Sequence, residues 1–477
     1  MNIKKKAVSG VKWQTIATVY STILGIVKYA VLTRLLEKAD FGLVAIAMMV
    51  ISFTEIFSQL GMTIGIIHKQ DITEKQYSSI YWLNVMASVV MFAFLWLCSP
   101  LLSTFYKEPI LNQIIPLLGI QILLNGFGKM FQTIKTKELE FGFLSKVSII
   151  VSTVSFVVTA ITAWIGWGVY SLVVGHLVMV LINQIVFAYM GLKQQRIFFY
   201  FNFKEIKDFI KIGTYYLGAA IMDFVSSKID VFLIGRFFGM SDLGIYNIAK
   251  DLIQKPYGVI KSLINTVATS AFAKIQDNKQ AVQANFVKMC KVVGTVAIPI
   301  YVIMFVFADP IVRILYAPEF SEVTIFLRVL AFVGIESCLS GFASTLQLAY
   351  GRTDLGFNWT LLRILLYTIV LLISSGYTIL FVAYGQLLLS VLSLFLYWRM
   401  IIYPLSKVNL LSYLNSLKIP SIYSVFVAIP FSFAVGLTDN IVLQMAMVFL
   451  YVVLYFLCFY FLQRDYIKSI VLLIKNK

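Results

Sequence analysis

Apolar segments long enough to cross a bilayer recur fourteen times along this 477-residue chain, and that recurrence constrains the fold more than any motif does. They run over 10–33, 41–66, 79–104, 110–134, 145–165, 169–190, 212–237, 243–272, 290–308, 325–349, 358–376, 378–400, 420–437 and 441–463. At about 1.5 Å of rise per residue, most of them can span a hydrocarbon core of about 30 Å. Lipid offers the backbone no hydrogen-bond partner, so an open sheet is excluded and the expected fold is an all-α polytopic bundle. Composition points the same way. With 60% hydrophobic residues, 13% charged and a mean hydropathy of +0.88, the chain has too little polar surface to stand in water as a globule. Lys4, Lys5 and Lys6 precede a first stretch that is too long for a signal-peptide core and shows no small-residue cleavage site, which predicts a retained first helix.

The segment Arg34–Ala47, RLLEKADFGLVAIA, returns 202 positions later as RFFGMSDLGIYNIA at Arg236–Ala249. Arg34 and Arg236, Asp40 and Asp242, Gly42 and Gly244, Ile46 and Ile248, and Ala47 and Ala249 are identical pairs, and most others exchange one apolar residue for another. A long-period repeat of this kind indicates a duplicated chain, and duplicated lobes are how secondary transporters build a site that opens to either side. The expected organisation is an N-lobe of helices 1–6 over residues 1–200, a C-lobe of helices 7–12 over 201–404, and two additional helices over 405–477. Six spans per copy make both lobes enter the membrane from the same side, related by an axis along its normal.

Counted over alternate connections, 25 Lys and Arg lie on one side of the fourteen segments, and Arg34, Lys38, Lys107, Arg236 and Arg313 on the other. That asymmetry predicts cytoplasmic N- and C-termini. The net charge of +17 is then explained by loops facing an anionic leaflet and calls for no nucleic acid. Cys98, Cys290, Cys338 and Cys458 are far apart and lie in or at the ends of apolar segments, so no disulfide framework or metal-binding spacing is indicated. His68 falls in a loop; His176 falls in a span, as a packed neutral imidazole or a functional one.

The chemistry lies in the charges that lipid does not tolerate. A charge at a helix centre costs roughly 2.5–3.5 kcal/mol, so the intramembrane charges must face one another or water. Lys12, Lys129 and Arg363 stand near helix ends and can snorkel. The remaining cations are Lys28, Lys228, Lys250, Lys255, Lys261 and Arg328, and the acids are Glu55, Asp223, Asp230, Asp251 and Glu336. Gln14, Thr18, Ser21, Gly25 and Lys28 form a polar stripe at helical spacing; so do Ser52, Glu55 and Gln59, and so do Lys250, Gln254, Tyr257 and Lys261. Pro256 is expected to bend or open its helix. Polar faces on corresponding helices of the two copies predict a hydrated cavity with a cationic bias, suited to a phosphate or diphosphate guest. Asp223, Lys228 and Asp230, and Asp251 with Lys255, can equally pair among themselves. Glu55, Asp223, Asp230 and Glu336 are candidates to carry a proton or Na+, with Glu336 followed at helical spacing by Ser340, Ser344 and Gln347; bundle cohesion is the competing role.

Fourteen spans with the RLLEKADFGL junction and the following ISFTEIFSQLGMTIGIIHKQDITEKQ resemble the polysaccharide branch of the MOP superfamily, most of all Wzx-type flippases of the WzxC and teichuronic-acid export group. The resemblance covers nearly the whole chain and is strongest over about Arg34–Trp82. It implies a non-enzymatic transporter that moves an undecaprenyl-diphosphate-linked oligosaccharide from the inner to the outer leaflet of a bacterial cytoplasmic membrane. An H+ or Na+ gradient is the implied drive, with no other cofactor and no metal site, and a polysaccharide polymerase or export machinery the implied partner beside membrane lipids. It gives Arg34, Asp40, Gly42 and their counterparts Arg236, Asp242 and Gly244 a structural role and assigns no substrate contact. Lys28, Lys228, Lys250, Lys255, Lys261 and Arg328 are then the diphosphate or sugar candidates. A multidrug exporter of the same superfamily would be expected to have an acidic, aromatic cavity, and a glycosyltransferase or polymerase would need a carboxylate-bearing outer loop or a DxD site; no DxD occurs, the outer connections are short, and the longest, over about 308–324, carries the acids Asp309, Glu319 and Glu322.

Overall fold

The computed structural model describes residues 3–59, 62–69 and 71–462, and among these all regular structure is helical. The helices are α1 (Ile3–Leu32), α2 (Lys38–Ser58), α3 (Met62–His68), α4 (Glu74–Tyr106), α5 (Leu111–Lys137), α6 (Phe141–Trp164), α7 (Val169–Gln194), α8 (Phe203–Phe237), α9 (Met240–Ile275), α10 (Lys279–Val306), α11 (Ala308–Leu315), α12 (Val323–Tyr350), α13 (Thr353–Ser374), α14 (Ile379–Tyr397), α15 (Tyr403–Ser406), α16 (Leu410–Val435) and α17 (Ile441–Leu462). A π-helical turn at Trp398–Ile402 joins α14 to α15. Twelve of the described helices are long and apolar enough to cross a membrane. The segments expected at 212–237 and 243–272 form long helices, α8 and α9, but fall outside those twelve; both are interrupted by charge.

The apolar stretch 41–66 is not one helix: α2 stops at Ser58 and α3 starts at Met62. Elsewhere the helices run beyond the apolar segments, because a helix continues into water wherever a cap satisfies its end. Asn278 accepts from the Ala281 N–H at 3.0 Å at the start of α10, and Asn409 from the Ser412 N–H at 2.7 Å at the start of α16. Thr73 and Gln76 exchange side-chain to backbone bonds, each at 3.2 Å, at the start of α4. α9 continues unbroken through Pro256. Three residues before that proline the carbonyl of Ile253 accepts from the Tyr301 hydroxyl of the neighbouring helix at 3.0 Å.

Packing divides the chain into two compact units: Met1–Ile248 with Arg363–Ile379, and Ala249–Leu362 with Leu380–Lys477. Repeat-based lobes follow ancestry and these units follow packing, so they are different partitions. In the first unit α5 packs between α4 and α7, α6 joins α1 to α7, and α2 and α3 lie against α5 and α8. Its core holds Ile66, Ile80, Met130, Phe131, Val147, Phe187, Ile206 and Phe209. α6 and α7 meet at an exposed turn in which Gly166 and Gly168 take positive φ and Trp164 is 77% exposed, with Trp167 beside it at 50%. In the second unit α10 packs on α12 and α16, around stacked Phe286 and Phe342 rings 5.3 Å apart with Phe272 against both. Phe307, Phe431 and Tyr451 pack the far end.

The two copies of the repeated segment touch each other in the first unit, and they do so reciprocally. A Cβ on Gly42 would fall 1.9 Å from the carbonyl oxygen of Met240, and one on Gly244 would fall 2.0 Å from that of Lys38. Lys38 and Met240, like Gly42 and Gly244, are separated by the 202-residue repeat, so each glycine meets the counterpart of the residue that its twin meets. Only a residue without a side chain permits this approach of α2 and α9. Asp40 holds the start of α2 by accepting the Glu37 N–H at 3.1 Å. Gly42→Ala and Gly244→Ala are each expected to destabilise the fold by about 1–3 kcal/mol through overpacking. Gly218→Ala on α8, where an added Cβ meets nothing within 4 Å, is expected to be neutral or stabilising by about 0.5–1 kcal/mol. Thermal unfolding midpoints of the three variants in detergent measure the contrast.

Candidate functional site

A polar network crosses α2, α5 and α7 of the first unit. Glu55, three residues before the end of α2 at Ser58, presents Oε1 to two amides of α5. Gln121 Nε2 donates to it at 2.9 Å and Asn125 Nδ2 at 2.6 Å. The spacing of Gln121, Asn125 and Lys129, four residues apart each time, puts all three on one face of α5. α7 supplies the outer partners with its own helical pair: His176 Nε2 bonds Gln121 Oε1, and Gln184 Nε2 donates to Asn125 Oδ1 at 2.7 Å. Two chains of hydrogen bonds therefore converge on one carboxylate oxygen. A carbonyl oxygen only accepts, so in this arrangement His176 carries its hydrogen on Nε2.

The Lys129 ammonium acts electrostatically on Glu55 and donates to Gln132 Oε1 at 3.1 Å. Instead of snorkelling outward, Lys129 lines a small open pocket with Asn125, Ser58, Gln59, Thr63, Asn84 and Ser88. Ser58, Gln59 and Thr63 belong to the ends of α2 and α3, so the interruption of the second apolar stretch borders polar side chains. Lys28 on α1 stands half-buried with its charge acting on His176.

The other expected residues are placed as follows. Asp230 on α8 is 1% exposed and accepts from the Tyr246 hydroxyl at 2.6 Å and from the Val231 N–H at 2.8 Å. Asp223 is exposed and Lys228 half-buried on the same helix. Arg34 donates to the Ala30 carbonyl, and the Arg236 guanidinium lies 5.2 Å from the Phe105 ring centre. Asp242 opens α9 in its first turn. In the second unit Lys255 and Asp251 form an ion pair of 2.8 Å one helical turn apart, with Lys250 half-buried beside them. Lys261 is exposed and sits 5.5 Å from the Tyr257 ring centre, and Arg328 is exposed on α12. Glu336 is 5% exposed on α12, where its charge acts on Tyr413 of α16. Of the acids proposed from sequence, Glu55 is the one that the first unit surrounds with amides. Gln121, Asn125 and Gln184 carry no assignment from the sequence, and Lys129 is expected from it to snorkel. The stripe rule that drew attention to α1, α2 and α9 would have found the α5 residues by their spacing of four.

Comparison with known proteins adds three findings. The family described as Polysaccharide biosynthesis protein matches residues 31–325. The teichuronic acid biosynthesis protein TuaB of Bacillus subtilis (strain 168) is 30% identical, over 92% of this chain and 91% of its own; the lipopolysaccharide biosynthesis protein WzxC of Escherichia coli (strain K12) is 25% identical, over 92% and 89%. Among solved structures, that of the lipid II flippase MurJ in an inward closed conformation matches with a TM-score of 0.78, covering 95% of this chain and 99% of its own at 14% identity, a likeness of fold. A double-mutant cycle on Glu55→Ala and Gln121→Ala is expected to give an interaction energy of about 0.5–3 kcal/mol, read from unfolding midpoints; additive losses would mean that the amide and the carboxylate do not act together.

Proposed function

This chain belongs to the polysaccharide biosynthesis protein family of the MOP superfamily, and from that premise we propose that it is a flippase. Its substrate is an undecaprenyl-diphosphate-linked oligosaccharide, carried from the inner to the outer leaflet of a bacterial cytoplasmic membrane by alternating access. The observation that carries this reading is the relation to TuaB over nine-tenths of both chains, joined to a multi-pass helical fold like that of a lipid II flippase. Fourteen spans with both termini cytoplasmic accord with the basic residues falling on alternate connections.

The headgroup brings diphosphate oxygens that need cationic donors, while the polyprenyl chain stays in lipid. Lys261, exposed and held against an aromatic ring, and Arg328, also exposed, offer such donors with little burial to overcome. Lys255, already paired with Asp251, contributes less, because releasing it leaves a carboxylate behind. Lys28, Lys228 and Lys250 remain candidates on the faces set by the repeat. Glu55, Asp223, Asp230 and Glu336 are the groups that could couple the cycle to H+ or Na+. A polymerase or export complex would take the product at the outer face.

The test is reconstitution. Purified protein in liposomes loaded with a fluorescent undecaprenyl-diphosphate oligosaccharide should move it to the leaflet where an added glycosidase or quencher reaches it. Lys261→Ala is expected to slow that movement about tenfold, the equivalent of losing a contact of about 1.4 kcal/mol, while Lys12→Ala, exposed at the start of the first apolar span, leaves it unchanged. Transport of a cationic dye without movement of the lipid-linked sugar would overturn the reading.

A further inference from the structure

The two hydrogen-bond chains that meet at Glu55 differ in what lies at their far ends. The Asn125 chain ends at Gln184, whose Oε1 is buried without a hydrogen-bond partner. The Gln121 chain ends at His176, a group with two neutral tautomers. Both chains now point their N–H bonds toward the carboxylate, the arrangement that suits an acceptor without a proton. A carboxylic acid carries one hydrogen and must donate it. Oε1 already receives two amide hydrogens, so a proton there displaces one of them.

We propose that Glu55 is a proton-binding site whose occupancy reverses the Gln121 chain and is recorded in the tautomer of His176. On proton uptake the Gln121 amide turns over. Its Oε1 accepts from the new Glu55 hydroxyl, and its Nε2 donates to His176 Nε2. That nitrogen gives up its hydrogen and Nδ1, which is not among the sealed unpartnered atoms, takes one up in exchange, so the imidazole stays neutral. The net change is one proton gained, at Glu55. Asn125 keeps donating to Oε1, now the hydroxyl oxygen, through its remaining lone pair. Reversing the Asn125 chain instead would exchange the unpartnered Gln184 oxygen for an unpartnered amide nitrogen with two hydrogens, whereas tautomerisation leaves no such group.

The charged groups around the switch are few. On α5 Lys129 acts on Glu55, and on α1 Lys28 acts on His176. α4 brings Asn84 and Ser88 to the pocket, both neutral. α8 meets α2 through Phe224 against Phe53, 5.1 Å between centres; it also carries Asp223, Lys228 and Asp230, the last held by Tyr246. The switch ties α2 to α7 through α5, so a proton on one helix changes the hydrogen bonding of another. It deepens the coupling role considered for Glu55, yet its readout needs no transport and stands or falls apart from the flippase reading.

The chain has two histidines, so His68→Asn leaves His176 as a single reporter. Full-length protein carrying that change, labelled with 15N-histidine and placed in lipid nanodiscs, is followed by imidazole 15N NMR across pH. The expected result is an Nε2–H tautomer at high pH that converts to Nδ1–H as pH falls, ahead of imidazolium formation. In Glu55→Gln and in Gln121→Leu the conversion should vanish while imidazolium formation persists. A tautomer that does not change with pH in the parent, or that changes identically in a folded variant of either kind, overturns the proposal.

Discussion

The lipid interior supplies no hydrogen bonds, and nearly every feature of this chain answers that condition. The backbone closes its own ladder in long helices. Hydroxyls turn back to the carbonyl one turn earlier, as Thr22 does to Thr18, Thr153 to Ile149 and Thr368 to Ile364. A tyrosine from α10 reaches the turn before Pro256, and amides from α5 enclose Glu55.

Close helix packing answers the second condition, that lipid drives no hydrophobic association between helices. At the repeated junction the twin glycines let backbone meet backbone. That contact explains why Gly42 and Gly244 are among the identities that persist while the apolar positions around them have exchanged freely. Arg34 and Arg236 are identical yet make different contacts, one to its own helix and one to an aromatic ring. Identity of sequence there does not translate into identity of environment.

The all-helical class and the approximate positions of the long helices were legible because the hydropathic signal is summed over some 20 residues and tolerates local exceptions. The end of α2 at Ser58 was not, since the apolar signal of 41–66 runs on past it without a charge whether or not the helix continues. Glu55 was visible as a carboxylate in an apolar segment. Its partners were not, because amides carry no charge to attract notice and their meaning depends on which helices become neighbours. Lys129 shows the same limit: its place near a helix end suggested an outward-reaching stem, but Ser58, Asn84 and Asn125 give it a polar pocket. The pairing of Lys255 with Asp251 was readable, being fixed by spacing within one helix.

The turn between α6 and α7 carries a consequence of its own. Trp164 and Trp167 project from it, and indoles settle at the headgroup level, where an apolar ring and a polar N–H can both be accommodated. Two of them on one tight link peg the joined ends of two adjacent helices to the waterline. Since α7 holds His176 and Gln184, the depth of those side chains is referenced to the membrane surface itself. A thinner or thicker bilayer is then expected to act on α7 as tilt about that tethered end.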